Sequence, residues 1–207
     1  MPRKRPSQTR SQELVDAILD GAARVFRRRG FAATTNEIAE AAGVSVGSLY
    51  QYFPNKLAIL AAWKVRFIRG ILEEVEQALT EPAGGLEAGL SRGVGCYFRA
   101  CQTERTMLVL CARELPARVD VASERSPPHH EILLRFLRRH ASSLHPERDP
   151  SPAALLVGEW IDATARAAMQ SPEVDLTSAA FQHELTAGLV LFLTTSACST
   201  RQPSLSD

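Results

Sequence analysis

Between Thr34 and Lys56 the chain gathers hydroxyls, tyrosines and one lysine in a pattern that suits holding a polyanion. Thr35, Ser45 and Ser48 carry hydroxyls able to bond phosphate oxygens, and the first N–H groups of a helix do the same. Tyr50 and Tyr52 each offer an O–H for a phosphate and a ring for a sugar or a thymine methyl. Gly47 lets a backbone come close, Val46 lies beside it, and Lys56 is placed to hold a phosphate at the start of the next helix. No chemistry of bond cleavage competes with this. The chain has no Ser/His/Asp arrangement and no nucleotide-binding loop. Its four cysteines (Cys96, Cys101, Cys111, Cys198) lack CxxC spacing and form no zinc pattern with the five histidines. Glu159, Asp162 and Arg166 fall at helical spacing, which an ion-pair face explains. The expectation is a protein that is no enzyme and needs no cofactor or metal.

Two short helices must position these groups. Thr34 with Glu37 has the form of a capping box, in which hydroxyl and carboxylate each take a backbone N–H of the other residue. Ile38, Val44 and Leu49 can form a small core between two crossed helices. Ala39 is small where the helices approach, and Gly43 suits a turn with positive φ. This is helix-turn-helix spacing. A plain helical hairpin would share the cap residues, but it would not need hydroxyls, tyrosines and a terminal lysine in one window.

Apolar residues recur with helical period throughout, and no period-2 stretch appears. Leu14, Ile18, Ala22 and Phe26 mark a first helix ending at Gly30. The two short helices follow, from Thr34 and to about Tyr52. Further helices are expected over Lys56–Leu79, Leu86–Cys101 and Glu104–Arg113, from Pro127-Pro128 to about Ser142, from Ser151-Pro152 to near Met169, and over Thr177–Ser196. The fold class is all-α, about nine helices and no strands. The expected domains are a flexible basic arm (1–10), a helix-turn-helix DNA-binding domain (11–56), a helical ligand-binding and dimerisation domain (57–198) and a flexible tail (199–207).

With 207 residues and 45% apolar composition the chain can bury a sizeable core. Its net charge of +1 conceals an asymmetry: residues 1–56 hold nine Lys/Arg against five Asp/Glu, and the remainder is slightly acidic. A basic quarter on an acidic body suggests a polyanion-binding module joined to something else. No apolar run approaches the roughly 20 residues a spanning helix needs, and the basic start runs into an amphipathic segment without an apolar leader. A cytoplasmic protein with no membrane partner is expected.

The run Ile18-Leu19-Asp20-Gly21-Ala22, Phe26, Gly30-Phe31, Thr34–Ala39 and Ala42–Lys56 resembles the tetracycline-repressor (TetR) family of transcriptional regulators. The resemblance is strong over about residues 14–60 and most specific in Leu49-Tyr50-Gln51-Tyr52-Phe53-Pro54-Asn55-Lys56. It implies that Thr35, Ser45, Val46, Gly47, Ser48, Tyr50, Tyr52 and Lys56 occupy positions that contact DNA. Val46 and Ser48, at the start of the recognition helix, are the first candidates for base edges. Arg3, Lys4, Arg5 and Arg10 fit either an arm on the DNA or a solvated tail. Arg27-Arg28-Arg29 fits either the favourable end of a helix dipole or added positive potential near DNA. One departure stands out: Gly30 to Ile38 is eight positions where the family usually has nine, so the loop Phe31-Ala32-Ala33 is expected to tighten, with Phe31 packing differently.

The resemblance also implies a homodimer, in which the last two helices pair with their copies in a four-helix bundle. Leu155, Leu156, Trp160, Ala163 and Ala167 on one helix, and Phe181, Leu185, Gly188, Leu189, Leu191 and Phe192 on the other, make both unusually apolar. Two-fold symmetry sets recognition helices about 34 Å apart and calls for double-stranded DNA with a palindromic operator. An inducer pocket is implied among the middle helices, with Trp63, Phe67, Tyr97, Met107, Phe136 and Trp160 as lining candidates for an unknown small apolar or amphipathic ligand. Such an aromatic and methionine stripe is more often core packing than a pocket. The function this gives is a ligand-released dimeric repressor. An activator or ligand-independent regulator shares every feature, while an all-α enzyme or a helical interaction scaffold leaves the recognition helix unexplained.

Overall fold

The computed structural model describes residues 9–81, 84–116 and 129–196. Among them are nine α-helices and no strand: α1 (Thr9–Arg29), α2 (Thr35–Ala42), α3 (Val46–Tyr52), α4 (Lys56–Thr80), α5 (Gly85–Thr103), α6 (Arg105–Glu114), α7 (His129–Arg139), α8 (Pro150–Gln170) and α9 (Ala179–Thr194). No described helix is long and apolar enough to cross a membrane. Arg3, Lys4 and Arg5, the loop 117–128, Cys198 and the tail 199–207 lie outside the described residues. The helix α1 starts at Thr9, inside the stretch expected as an arm.

The chain divides into two compact units, Met1–Leu72 with Ala100–Ser126 and Glu73–Arg99 with Pro127–Asp207. The division falls within α4 rather than at its start, because the first turns of α4 supply core to the N-terminal unit. Ile59, Leu60 and Trp63 pack there with Ile18, Phe26, Ile38, Leu49 and Phe53, and α6 adds Met107 and Cys111. Burial pushes the Cys111 thiol up to about 12. Gly21 decides how closely α1 and α2 approach: a Cβ there would lie 2.8 Å from the Ala42 backbone nitrogen. Arg66 staples α1 to α4, donating to Asp16 at 3.1 Å and to Asp20 at 2.5 Å.

In the second unit, Gly89 makes room for the Phe136 ring, and Phe98 stacks on Phe181 with centroids 5.9 Å apart. The start of α8 differs from expectation. Asp149, not Ser151, is the cap; its carboxylate accepts from Ser151 N at 2.9 Å, and Pro150 occupies the first helical position. Leu185, Leu189 and Leu193 of α9 are buried, whereas Leu155, Leu156 and Trp160 of α8 and Leu191 of α9 are exposed.

Candidate nucleic-acid interface

The α2–α3 pair is built by its caps. The Thr34 hydroxyl accepts from Glu37 N at 3.2 Å, and the Glu37 carboxylate accepts from Thr34 N at 2.8 Å. The Thr34 N–H first, and second the Thr34 hydroxyl, which donates to the same carboxylate at 3.0 Å, hold the Glu37 carboxyl below the ordinary glutamate value, helped by the nearby Arg29 guanidinium. At the other end Gly43 adopts φ 67°, and N–H groups of Gly43 and Val44 return to the carbonyls of Glu40 and Ala39. This glycine-dependent stop turns the chain directly into α3. Ser45 caps α3: its hydroxyl accepts from Ser48 N at 3.0 Å and shares a 2.8 Å hydrogen bond with the Ser48 hydroxyl.

The helix α3 buries Leu49 and Tyr52 and leaves Val46, Gly47, Tyr50 and Gln51 exposed. At about 100° per residue, Gly47 lies at the centre of the outward face. Val46 and Tyr50, four residues apart, form one flank; Ser48 and Gln51, three apart, form the other. A Cβ on Gly47 would meet only the Ser45 hydroxyl, at 3.8 Å, so nothing in the fold requires glycine there. Tyr50 is 43% exposed, and its hydroxyl pairs with that of Thr35 at 3.0 Å, which fixes the ring across the mouth of the two helices. Thr35, Ser45, Val46, Gly47, Ser48 and Tyr50 therefore share one open surface.

Two expected contact residues are placed differently. Tyr52 is 7% exposed; its ring is core, and only its hydroxyl reaches outward, to Ser11 at 3.2 Å. Lys56 donates to the carbonyls of Phe31 at 2.6 Å and Ala33 at 3.3 Å. These carbonyls belong to the tight segment after α1, where Gly30–Ala32 forms a 3-10 turn. Asn55 caps α4 beside it, accepting from Ala58 N at 2.9 Å. The arginines at the end of α1 also have partners: Arg24 donates to the Ala41 carbonyl, Arg27 pairs with Glu104 at 2.6 Å, and Arg29 lies 3.4 Å from Glu37. Gln51, outside the eight positions that the resemblance implies, is exposed on the same open face.

The six residues considered for a ligand pocket are split between the units. Trp63 and Met107 belong to the N-terminal core, and Phe67 packs against it, stacked on Trp63 at 5.5 Å. In the other unit Phe136 is buried and Tyr97 donates to Asp162 at 2.8 Å. Trp160 is 44% exposed and covers Gly188, so it lies on an outer face rather than in an interior.

Residues 18–63 match the family model for bacterial regulatory proteins of the tetR family. An uncharacterised HTH-type transcriptional regulator of Mycobacterium tuberculosis is 40% identical over 70 residues, 33% of this chain and 35% of that one. The chain thus spans about a third of the length of the curated relatives it matches. The fold extends further. The fatty acid degradation regulator FadR of Bacillus halodurans superposes with a TM-score of 0.67 at 22% identity, over 84% of this chain and 97% of that chain. Thermus thermophilus FadR, a TetR-family transcriptional repressor solved with lauroyl-CoA, gives a TM-score of 0.61 at 25% identity, over 89% of this chain and 98% of that chain.

Proposed function

Through its N-terminal module the chain belongs to the tetR family of bacterial regulatory proteins, and from that premise we propose that it is a dimeric transcriptional repressor that holds a palindromic operator and is released by a small amphipathic ligand. The observation that carries this reading is the face of α3. A glycine the fold does not need stands at its centre, with an exposed valine, a tethered tyrosine and two capped serines around it. A helix stripped at its outward centre fits a groove into which the backbone itself must descend. Thr35 and Ser45 meet phosphates, Val46, Ser48 and the Tyr50 ring reach base edges, and the Tyr52 hydroxyl and the remaining N–H of Lys56 sit at the border with the backbone of the DNA.

The exposed apolar residues of α8 and α9 support a dimer. Leu156, Trp160, Ala163 and Ala167 form one stripe on α8, and Ala187 and Leu191 continue it on α9. Release by an amphipathic molecule is supported by the lauroyl-CoA bound to the Thermus relative. Selection from a randomised duplex pool tests the whole: an enriched palindrome, bound with strong salt dependence, is the expected result. Adding lauroyl-CoA as the probe should weaken that binding. By reciprocity, a hundredfold loss on the DNA side requires a hundredfold loss of probe affinity for the DNA-bound protein.

A further inference from the structure

The chemistry of α3 restricts which bases it can distinguish. Its seven residues, Val46–Tyr52, contain no arginine, lysine, asparagine or acid, so the bidentate contacts that usually read guanine, and the carboxylate contacts that read cytosine, are missing from this helix. What it exposes instead is apolar. Val46 at 36% and Tyr50 at 43% exposure are the large apolar side chains left open in the described part of the N-terminal unit. They lie four residues apart on one flank of a helix whose centre is the bare Gly47. The Tyr50 ring is not free to swing away, because its hydroxyl is bound to Thr35 at 3.0 Å. The Ser45 and Ser48 hydroxyls are partly engaged with each other at 2.8 Å, and Gln51 is the one side-chain amide of α3 and is exposed.

We propose that Val46 and Tyr50 form an apolar edge that reads the 5-methyl groups of thymine in the major groove, so that this protein selects its site by thymine methyls rather than by guanine edges. The proposal rests on the DNA-binding reading above. In the complementary role, Gln51 on the opposite flank has the donor and acceptor that an adenine edge requires, which makes A·T pairs the natural partner of both flanks. The tether between Tyr50 and Thr35 is a positioning device: it holds the ring at the methyl and does not itself choose a base.

The test needs no protein variant at first. Duplexes are selected from a randomised pool by the purified full chain. The enriched sequence is then synthesised with deoxyuridine in place of each thymidine in turn, which removes one methyl and leaves every hydrogen bond of the pair intact. Burial of one methyl is worth about fourfold in affinity. Each contacted thymine should therefore cost about fourfold on conversion, and the symmetric pair of a palindrome roughly fifteenfold. In Val46→Ala the uracil penalty at one such position should shrink towards onefold. Tyr50→Phe, which cuts the tether to Thr35 and keeps the ring, should shrink the uracil penalty at a second such position and leave the Val46 position unchanged. If the enriched sequence is discriminated at guanines, or if every uracil duplex binds as tightly as its thymine parent, the thymine proposal is overturned while DNA binding stands. A pool that yields no enriched sequence overturns the DNA-binding reading itself.

Discussion

Lys56 and Phe31 are bound to each other twice. The ammonium donates to the Phe31 carbonyl at 2.6 Å and stands 4.2 Å from the centroid of the same residue's ring. With the Ala33 carbonyl as a second acceptor, this contact ties the first residue of α4 to the turn that follows α1. It also accounts for a cation at a helix N-terminus, where the helix dipole opposes it: the nearby carbonyls and ring supply the negative potential that the helix end does not.

Replacing that ammonium should be felt twice. In Lys56→Met the stem still packs but two carbonyls lose a charged donor, a cost of about 1 kcal/mol at this half-exposed place. For a chain of this size that lowers Tm by about 2–4 °C. One N–H of the ammonium remains for a phosphate, so the slope of log K against log salt should also flatten by about 0.9. Calorimetry and a salt titration of binding check the two separately. A lowered Tm with an unchanged slope would mean that Lys56 is a latch alone.

Two glycines should respond to the same substitution with opposite signs. Gly21→Ala drives a Cβ to within 2.8–2.9 Å of Ala42 and should destabilise by about 1–3 kcal/mol in urea unfolding. Gly47→Ala meets only the Ser45 hydroxyl, at an ordinary contact distance of 3.8 Å, so removing glycine's excess chain entropy should raise stability by up to about 1 kcal/mol. The same variant should bind DNA at least tenfold more weakly, because the methyl stands where the groove floor must come close. A Gly47→Ala protein of lower stability would show that the glycine serves the fold.

Acid should loosen α2 from its N-terminus. The Glu37 carboxyl is held below its ordinary value by the bonds from Thr34, so its contribution is present above the unfolded value and lost as pH falls through the lower folded one. Glu37→Gln keeps an acceptor without a charge. The stability difference between wild type and variant should therefore be constant at neutral pH and close on the acid side. Parallel urea titrations across this range read it directly; a difference independent of pH would remove the carboxylate from the cap.

The exposed stripe of α8 and α9 predicts a mass. Wild type at micromolar concentration should scatter light as twice the 22.7 kDa chain. Leu156→Glu, which introduces a charge at a residue 54% exposed, should halve that mass without lowering helicity. Retention of the dimer would move the interface elsewhere.

Most helices were legible because their punctuation is chemical. Thr34 with Glu37, Gly43 and Ser45 each specify a backbone state that few other residues would take, and the structure has a cap or a left-handed turn at each. The helix α8 starts ahead of Ser151-Pro152 because Asp149-Pro150, two residues upstream, carries the same signal. Either could cap, and a carboxylate already bonding Ser151 N decides for the first. The residue type of Tyr52 suits DNA and by itself points to an outward ring. Its position three residues after the buried Leu49 turns the ring inward, a consequence of helical phase that composition does not carry. The partners of Lys56 were beyond reach for another reason: they are backbone carbonyls 23 and 25 residues away, and a carbonyl has no side-chain signature.

The core side and the open face of α3 are carried by different residues. Leu49 and Tyr52 anchor the helix, Ser45 and the Phe53 N–H to Leu49 close its ends, and none of these needs to change for Val46, Gln51 or Tyr50 to be exchanged. Such a helix is a cassette. On the proposed reading, one or two substitutions on the open face would give a duplicate of this chain a new target with little change to its melting curve, so drift in target preference would not be held back by the stability threshold that limits most sequence change. The same separation makes α3 a place for grafting: the exposed residues of another helix can be written onto these anchors while Leu49 and Tyr52 keep the core as it is.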